Sequence, residues 1–419
     1  METYANILLI AIPSFMVLIL FEILYGVWKN KQTYTLMDTI SSLSSGTTNM
    51  LKDVFKIGII LISYPFLKEN LSITTIEETT LLYIVAFICV DFSSYWNHRL
   101  NHSINFFWNQ HVVHHSSEEF NLACALRQSI SAILGYGALF LIPAAILGIP
   151  HKVIVILAPL HLFGQFWYHT RHIGKLGWLE YLLVTPSQHR VHHAINPEYI
   201  DKNLAAIFCV WDRIFGTFQE ELDDVPCVYG TLKPVHTWNP VIINFVHLWG
   251  LIKDAWLTNN WLDKLKLWFM PTGWRPKDVL ERFPRPVVEN VFAQTKYKPN
   301  YTTKHKAIAI FQFISTNILV FLFLSSYGDL DSVSKVALGG LIFTTIFGYT
   351  SLMDGHRWAY FVEITRAVIG LIVLLHPSQA ELWTTQPFLT VGLSLYFLLT
   401  LTSTLWITNA LPERTLIPS

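Results

Sequence analysis

The chain has 419 residues, of which 52% are hydrophobic and only 14% charged. A soluble domain carries about a quarter charged residues, so a purely aqueous protein is excluded. Its 29 basic and 29 acidic residues cancel to a formal charge of zero, which gives nucleic acid or any other polyanion no electrostatic hold.

In chain order, apolar runs of bilayer-spanning length are expected near residues 5–27, 49–68, 79–97, 129–148 and 151–169. The first begins after Met1–Tyr4, without a basic region or a small-residue cleavage site, so it reads as a retained helix and not a signal peptide. The fourth and fifth form a tight hairpin turned at Gly148-Ile-Pro150. A less apolar stretch, richer in Pro, Trp and charge, runs to residue 304. Four more spans follow near 306–325, 334–353, 358–376 and 387–409. They look nearly free of polar ligands and read as scaffold or as a wall for lipid access. Cys89, Cys124, Cys209 and Cys227 have neither disulfide nor zinc-site spacing.

Lys and Arg in short loops set the orientation. Lys29 and Lys31 place the loop after the first span in the cytoplasm, and Lys68 with Glu69, Glu77 and Glu78 lies outside. The third span then delivers His98 and Arg99 to the cytoplasmic face. The hairpin returns the chain to that face, where 170–304 and Asp354–Arg357 also fall. The loop around Asp329 and Asp331 is outside.

Eight of the 17 histidines lie in three short clusters: His98 with His102, His111 with His114 and His115, and His189 with His192 and His193. On a helix, residues three or four apart share a face. All three clusters fall on the cytoplasmic side, so their imidazoles are able to converge. Histidines taken singly (His151, His236, His247, His305, His356, His376) read as ordinary interfacial residues. Neutral imidazoles packed together at a membrane face are costly to desolvate without a partner, and imidazole is the commonest ligand of transition metals. Eight ligands exceed the need of one ion, which implies a two-metal site. Imidazole suits iron, zinc, copper or nickel alike. A zinc site usually takes three or four protein ligands, whereas an iron pair fits the larger set and supplies oxidising power toward an unactivated C–H bond. In a membrane that bond belongs to a lipid.

The spacing of the boxes resembles that of the fatty acid hydroxylase and sterol desaturase superfamily of membrane non-heme diiron enzymes, and most of all its alkylglycerol monooxygenase subfamily. The segments that carry the resemblance are Tyr95-Trp-Asn-His-Arg-Leu-Asn-His102, His114-His-Ser-Ser-Glu-Glu-Phe-Asn-Leu122 running into Ala125-Leu-Arg-Gln-Ser129, Gln165-Phe-Trp-Tyr-His-Thr170, and Thr185-Pro-Ser-Gln-His-Arg-Val-His-His193 through Asp201-Lys-Asn203 to Trp211-Asp-Arg-Ile-Phe-Gly-Thr217. The resemblance is strong over residues 75–220. It implies a diiron cofactor, O2, a lipid substrate within the bilayer and an external electron donor, tetrahydrobiopterin in the animal enzymes. It also implies hydroxylation of the ether-linked carbon of an alkylglycerol, giving a hemiacetal that falls apart to a fatty aldehyde and glycerol. It adds His169 as a ninth ligand, with His172 a weaker candidate and His161 structural. No residue is assigned to the reductant.

Outer partners should hold the ligand imidazoles in one tautomer. Asp91, two helical turns before His98 in an apolar helix, is expected to orient an imidazole, since a carboxylate there is expensive. Glu118, Asn121, Asp201 and Asn203 are expected to act with it, and Glu119 and Asp212 are further candidates. Arg127 and Arg190 are read as able to meet lipid phosphate. Trp96, Trp108, Trp167 and Trp178 are read as interface-belt residues.

The expected fold class is all-α: a polytopic integral membrane protein with a helical cytoplasmic histidine-box diiron domain. The expected division is N-terminal membrane helices (1–78), catalytic domain (79–220), cytoplasmic extension (221–304) and C-terminal membrane helices (305–419). The expected function is O2-dependent hydroxylation of a lipid. A lipid or sterol desaturase with the same centre is the nearest alternative, and a metal-ion-handling transporter is the alternative of another class.

Overall fold

The computed structural model describes residues 2–299, 301–376 and 380–408. Among the described residues the protein is all-α apart from one parallel pair of two-residue strands, β1 (Ile59–Ile60) with β2 (Leu134–Gly135). Chain contacts divide it into two compact units, one of Met1–Ser14, Thr237–Pro240 and Tyr297–Ser419, the other of Phe15–His236 and Val241–Lys296. Among the described residues six helices are long and apolar enough to cross a membrane, so the chain is a polytopic membrane protein.

The larger unit takes up α1 (Glu2–Trp28) from Phe15 onward, followed by α2 (Leu36–Val54), α3 (Tyr64–Leu71) and α4 (Thr80–Ser103). Short helices follow: α5 (Asn105–Trp108), α6 (Val112–His115), α7 (Ile142–Ile146), α8 (His151–Phe163), α9 (Pro186–His193) and α10 (Val210–Phe215). Next come α11 (Pro240–Leu257), which enters this unit at Val241, α12 (Trp261–Lys266) and α13 (Lys277–Arg282). An apolar core of Tyr64, Leu67, Leu82, Ala86, Ile149 and Val153 joins α3, α4 and α8.

Three expected spans differ from the reading. Residues 49–68 are not one helix: α2 stops at Val54, β1 intervenes, and α3 restarts with Ser63 as its cap and Pro65 in its first turn. The buried face of α2 is polar, with Ser41, Ser42, Ser44, Ser45 and Thr48 all within the protein. Residues 129–148 break because Ser129 and Ser131 bond across to other segments and Pro143 begins only the short α7. Residues 151–169 form a helix only as far as Phe163. At 1.5 Å per residue such a helix is about 20 Å long, short of the roughly 30 Å hydrocarbon layer, so neither helix of this pair is long enough to cross it. Its turn is where the sequence placed it. Gly148 has φ of +68°, and a Cβ there would stand 2.0 Å from the Thr74 carbonyl oxygen, so only glycine fits.

The other unit holds α14 (Thr303–Ser325), α15 (Ser332–Met353), α16 (Arg357–Leu375), α17 (Ala380–Thr385) and α18 (Pro387–Thr408). The expectation that these spans lack polar groups is corrected. Glu363 and Arg366 on α16 pair at 2.6 Å. Gln312 on α14 donates to Glu363 at 3.0 Å, and Tyr396 on α18 accepts from Arg366 at 2.7 Å and donates to Gln312 at 2.8 Å. Gly348 on α15 gives Glu363 its place, since a Cβ there would lie 1.8 Å from Glu363 Oε1. Each helix contributes only one or two of these groups, which is why none of the spans looks polar by itself.

Candidate metal centre

Four segments deliver the nine predicted histidines to one buried place. The last turns of α4 carry His98 and His102, and the helix ends where Ile104 turns extended. His111 precedes α6, which carries His114 and His115. His169 lies in the turn beyond α8. Helix α9 starts with Pro186 in its first turn, where a missing N–H costs nothing. All eight of its residues are buried although the helix is polar, so its solvent is the rest of the site.

The histidines sort into two groups. His98, His102, His111, His115 and His192 form one, and His114, His169, His189 and His193 the other; within each group the available nitrogens lie within 4.8 Å of one another. The groups adjoin, with the rings of His115 and His193 stacked 4.4 Å apart.

The hydrogen bonds show what the nitrogens lack. His114 Nδ1 donates to the Arg127 carbonyl at 3.2 Å and His169 Nδ1 to the Gln165 carbonyl at 3.1 Å. Both rings therefore present an unprotonated Nε2, and these two lone pairs face each other at 3.3 Å. No proton is left to join them, so a cation is the partner that geometry calls for. His98 Nδ1 on the Leu204 carbonyl (2.8 Å) and His192 Nδ1 on the Lys202 carbonyl (3.0 Å) fix the same tautomer. The Nε2 atoms of His102 and His192 are buried without any hydrogen-bond partner. Other Nε2 pairs stand close together: His98–His111 at 2.9 Å, His189–His169 at 2.9 Å and His193–His189 at 3.0 Å. Nitrogens bound at right angles to one ion at about 2.1 Å would be roughly 3 Å apart. Burial, followed by neighbouring imidazoles, pushes the pKa of His111, His115, His189, His192 and His193 well below 6.5. His114 is lowered by the same burial to about 3. Neutral imidazoles are the form that binds metal. The donor set fits a non-heme diiron cofactor.

The expected supporting residues divide. Asp201 Oδ1 meets His102 Nδ1 at 3.2 Å, the outer-partner role foreseen for it. Asn203 spans the Gln188 and Gln219 carbonyls and so pins α9. Asp212 accepts from the Leu204 and Ala205 amides, bracing the carbonyl that His98 uses. Asp91 touches none of the nine. It accepts from His161 at 2.7 Å, from the Ile207 and Phe208 amides and from the Trp211 indole, so the imidazole it orients is that of His161. Asn121 ties its loop to Thr33, and Glu118 lines a separate cavity with Arg171, Tyr229 and Lys296. Glu119 pairs with Lys296. Arg127 pairs with Asp38 at 2.6 Å and Arg190 with Glu221 at 2.6 Å, so both have protein carboxylates where lipid phosphate was anticipated. His172 belongs to neither histidine group. Trp108, read as a belt residue, packs its ring 5.1 Å from that of His102.

Two residues escaped the sequence reading. Glu22, inside α1, is buried and accepts from Leu122 N at 2.8 Å and from Tyr34 and Thr170, beside His169. Asp38 holds Arg127 and thus the carbonyl under His114. An acid in the apolar run 5–27 was the available signal for Glu22; Asp38 carried none.

The fatty acid hydroxylase family model matches residues 83–217. Human alkylglycerol monooxygenase is 33% identical over 368 residues, which cover 87% of this chain and 81% of the human protein. The Danio rerio alkylglycerol monooxygenase is 33% identical over 375 residues, with the same shares of each chain covered. The ornithine lipid hydroxylase OlsE of Rhizobium tropici is similar at 27% identity over 135 residues, 32% of this chain and 41% of that protein. No solved structure matches. Similarity to enzymes along most of the chain removes the ion-transport alternative, and with the paired histidine groups it makes this chain a member of the fatty acid hydroxylase superfamily, homologous to the alkylglycerol monooxygenases.

Proposed function

We propose that this protein hydroxylates the ether-linked carbon of an alkylglycerol-type lipid and so cleaves the ether bond. The chain is a membrane diiron oxygenase acting on a lipid. The observation that carries the reading is the pair of adjoining histidine groups with unprotonated nitrogens turned inward.

In this reading His98, His102, His111, His115 and His192 hold one iron and His114, His169, His189 and His193 the other. The irons supply the oxidising power. The chain's own contribution is to fix the tautomers of His98, His102, His114, His169 and His192 through Nδ1, to keep the imidazoles neutral and to bury the centre from water. One atom of O2 enters the C–H bond beside the ether oxygen. The other leaves as water with two protons and two electrons from an external donor, for which tetrahydrobiopterin is the proposed class. The hydroxylated carbon then releases its alcohol and becomes an aldehyde. Lys29 and Lys31 follow the end of α1 at which Glu22 bonds Thr170 beside His169, and this supports a cytoplasmic active site, where reductants are present.

Lipid mass spectrometry of membranes incubated with the purified protein, reductant and 18O2 tests the proposal. The expected result is loss of alkylglycerol with one labelled oxygen in the fatty aldehyde. A product lighter by two hydrogens and free of label would make the protein a desaturase. A labelled hydroxyl on a carbon away from the ether would leave a hydroxylase of another lipid.

A further inference from the structure

In water an amphipathic helix turns its polar side outward. Helix α11 does the reverse. Its inner side carries Asn244, His247 and Asp254 beside the apolar Ile243 and Leu251. Asn244 accepts from the amide of Ile130 at 2.9 Å, His247 Nε2 donates to the Asn105 carbonyl at 2.8 Å, and Asp254 binds Arg275 and Arg285 at 2.8 and 2.6 Å. Its outer side presents Trp249, Ile252 and Trp256, spaced three and four apart on one face. Trp256 is 84% exposed, whereas Asp254 two residues earlier is 1% exposed. The face continues in Trp261, Leu265 and Phe269, spaced four apart through α12 and just beyond it, with Leu265 68% exposed.

This apolar surface lies outside the six spanning helices. It belongs to an excursion that begins and ends at the same place. Leu248 N bonds to Asn109, and the returning chain bonds Phe106 N to the Trp268 carbonyl and Asn105 N to the Met270 carbonyl. Both ends are thus tied to the short helix that follows His102. The rim is cationic: Lys253 sits 5.5 Å from the Trp249 ring and Lys264 5.3 Å from the Trp261 ring. Tryptophan with lysine at its edge is the chemistry of the headgroup layer, where the ring meets acyl chains and the ammonium meets phosphate.

We propose that residues 245–269 form an in-plane membrane hairpin, its Trp249–Phe269 face seated in the headgroup and upper acyl layer of a phospholipid bilayer. The bilayer surface therefore reaches the segment that adjoins the histidine centre, although this stretch of sequence is too polar to read as a span.

The test uses nitroxide labels in the full-length protein in phospholipid nanodiscs. Labels are placed by W256C and L265C, with K277C as the aqueous control, all in a Cys227→Ser background because the other three cysteines are buried. Lys277 has an 88% exposed side chain on the polar α13. The expected result is more frequent collision with dissolved oxygen than with a water-soluble nickel chelate at 256 and 265, and the opposite order at 277. Chelate collisions dominating at 256 and 265 would put the face in water and overturn the proposal. Dipolar broadening at 256 that disappears on dilution with unlabelled protein would overturn it too, by making a second copy the occupant.

Discussion

The nine histidines and the Glu363–Arg366 node are both polar clusters buried in an apolar chain, and their hydrogen bonds are arranged differently. In the node the bonds run from member to member: the carboxylate meets the guanidinium and the Gln312 amide, and the Tyr396 hydroxyl bridges Arg366 and Gln312, while Glu363 Oε1 and Arg366 Nε are buried without a partner among the described residues. Among the histidines the bonds run outward. At His98, His102, His114, His169 and His192, backbone carbonyls and Asp201 take the Nδ1 protons, and the Nε2 atoms turn inward with nothing but one another. A charged pair that closes on itself stabilises a helix bundle only while both partners remain. A ring of lone pairs is complete only when a cation arrives from outside. Burial alone therefore does not mark a functional cluster; the direction of its hydrogen bonds does.

The largest effect should come from His192→Ala. Activity is expected to vanish and bound iron to fall, while the protein still inserts, because the apolar spans drive insertion. Full activity with unchanged iron by metal analysis would remove His192 from the centre. Next, Arg366→Leu should destabilise the fold by about 3–5 kcal/mol, since it leaves Glu363 charged and unpaired, yet the iron content of the folded protein should not change. Iron loss in that variant at a temperature where it remains folded would show that the two clusters are not independent.

Acid should separate the clusters as well. His114 titrates at about 3 when folded, against an ordinary value of 6.5, so below 6.5 the unfolded chain binds more protons than the folded one. Stability contributed by the neutral imidazoles is complete above 6.5 and is lost as the pH falls from there toward 3. Denaturant midpoints of iron-free protein should decline over that range, and a midpoint that rises on acidification would contradict the neutral cluster. The smallest effect is expected from Asp201→Asn. Loss of an outer partner costs about 10–100-fold in metal affinity or activity. Asp201 is more than half exposed, which places it near the lower figure. A chelator competition series measures it, and iron affinity equal to the parent's would confine Asp201 to the surface.

The histidine boxes were legible because metal chemistry constrains residue type and spacing together: three and four residues apart, on one helix face, with no other economical use for so many imidazoles. The hairpin turn at Gly148 was legible for a related reason, as its backbone admits only glycine. The supporting residues were less so. Asp91 was expected beside a ligand because it is two turns from His98 on the same face of α4, but two turns are also about 10 Å along the axis, and at that level the fold sets His161 and the 207–211 segment against it. Asp201, an ordinary loop residue by sequence, reaches His102.

By itself, the sequence determined the membrane character, the helical class and the eight histidines of the three boxes, since each follows from composition or from local periodicity; the ninth, His169, came with the family resemblance. Only the tertiary structure decided how five histidines separate from four, which carboxylate serves which imidazole, that α2 and the 129–163 hairpin do not span, that Glu363 and Arg366 find each other in the C-terminal helices, and that α11 wears its polar side inward. Those outcomes depend on contacts between residues far apart in the chain. A side chain's role there is set by what the fold places opposite it, and neighbours in sequence carry no record of that.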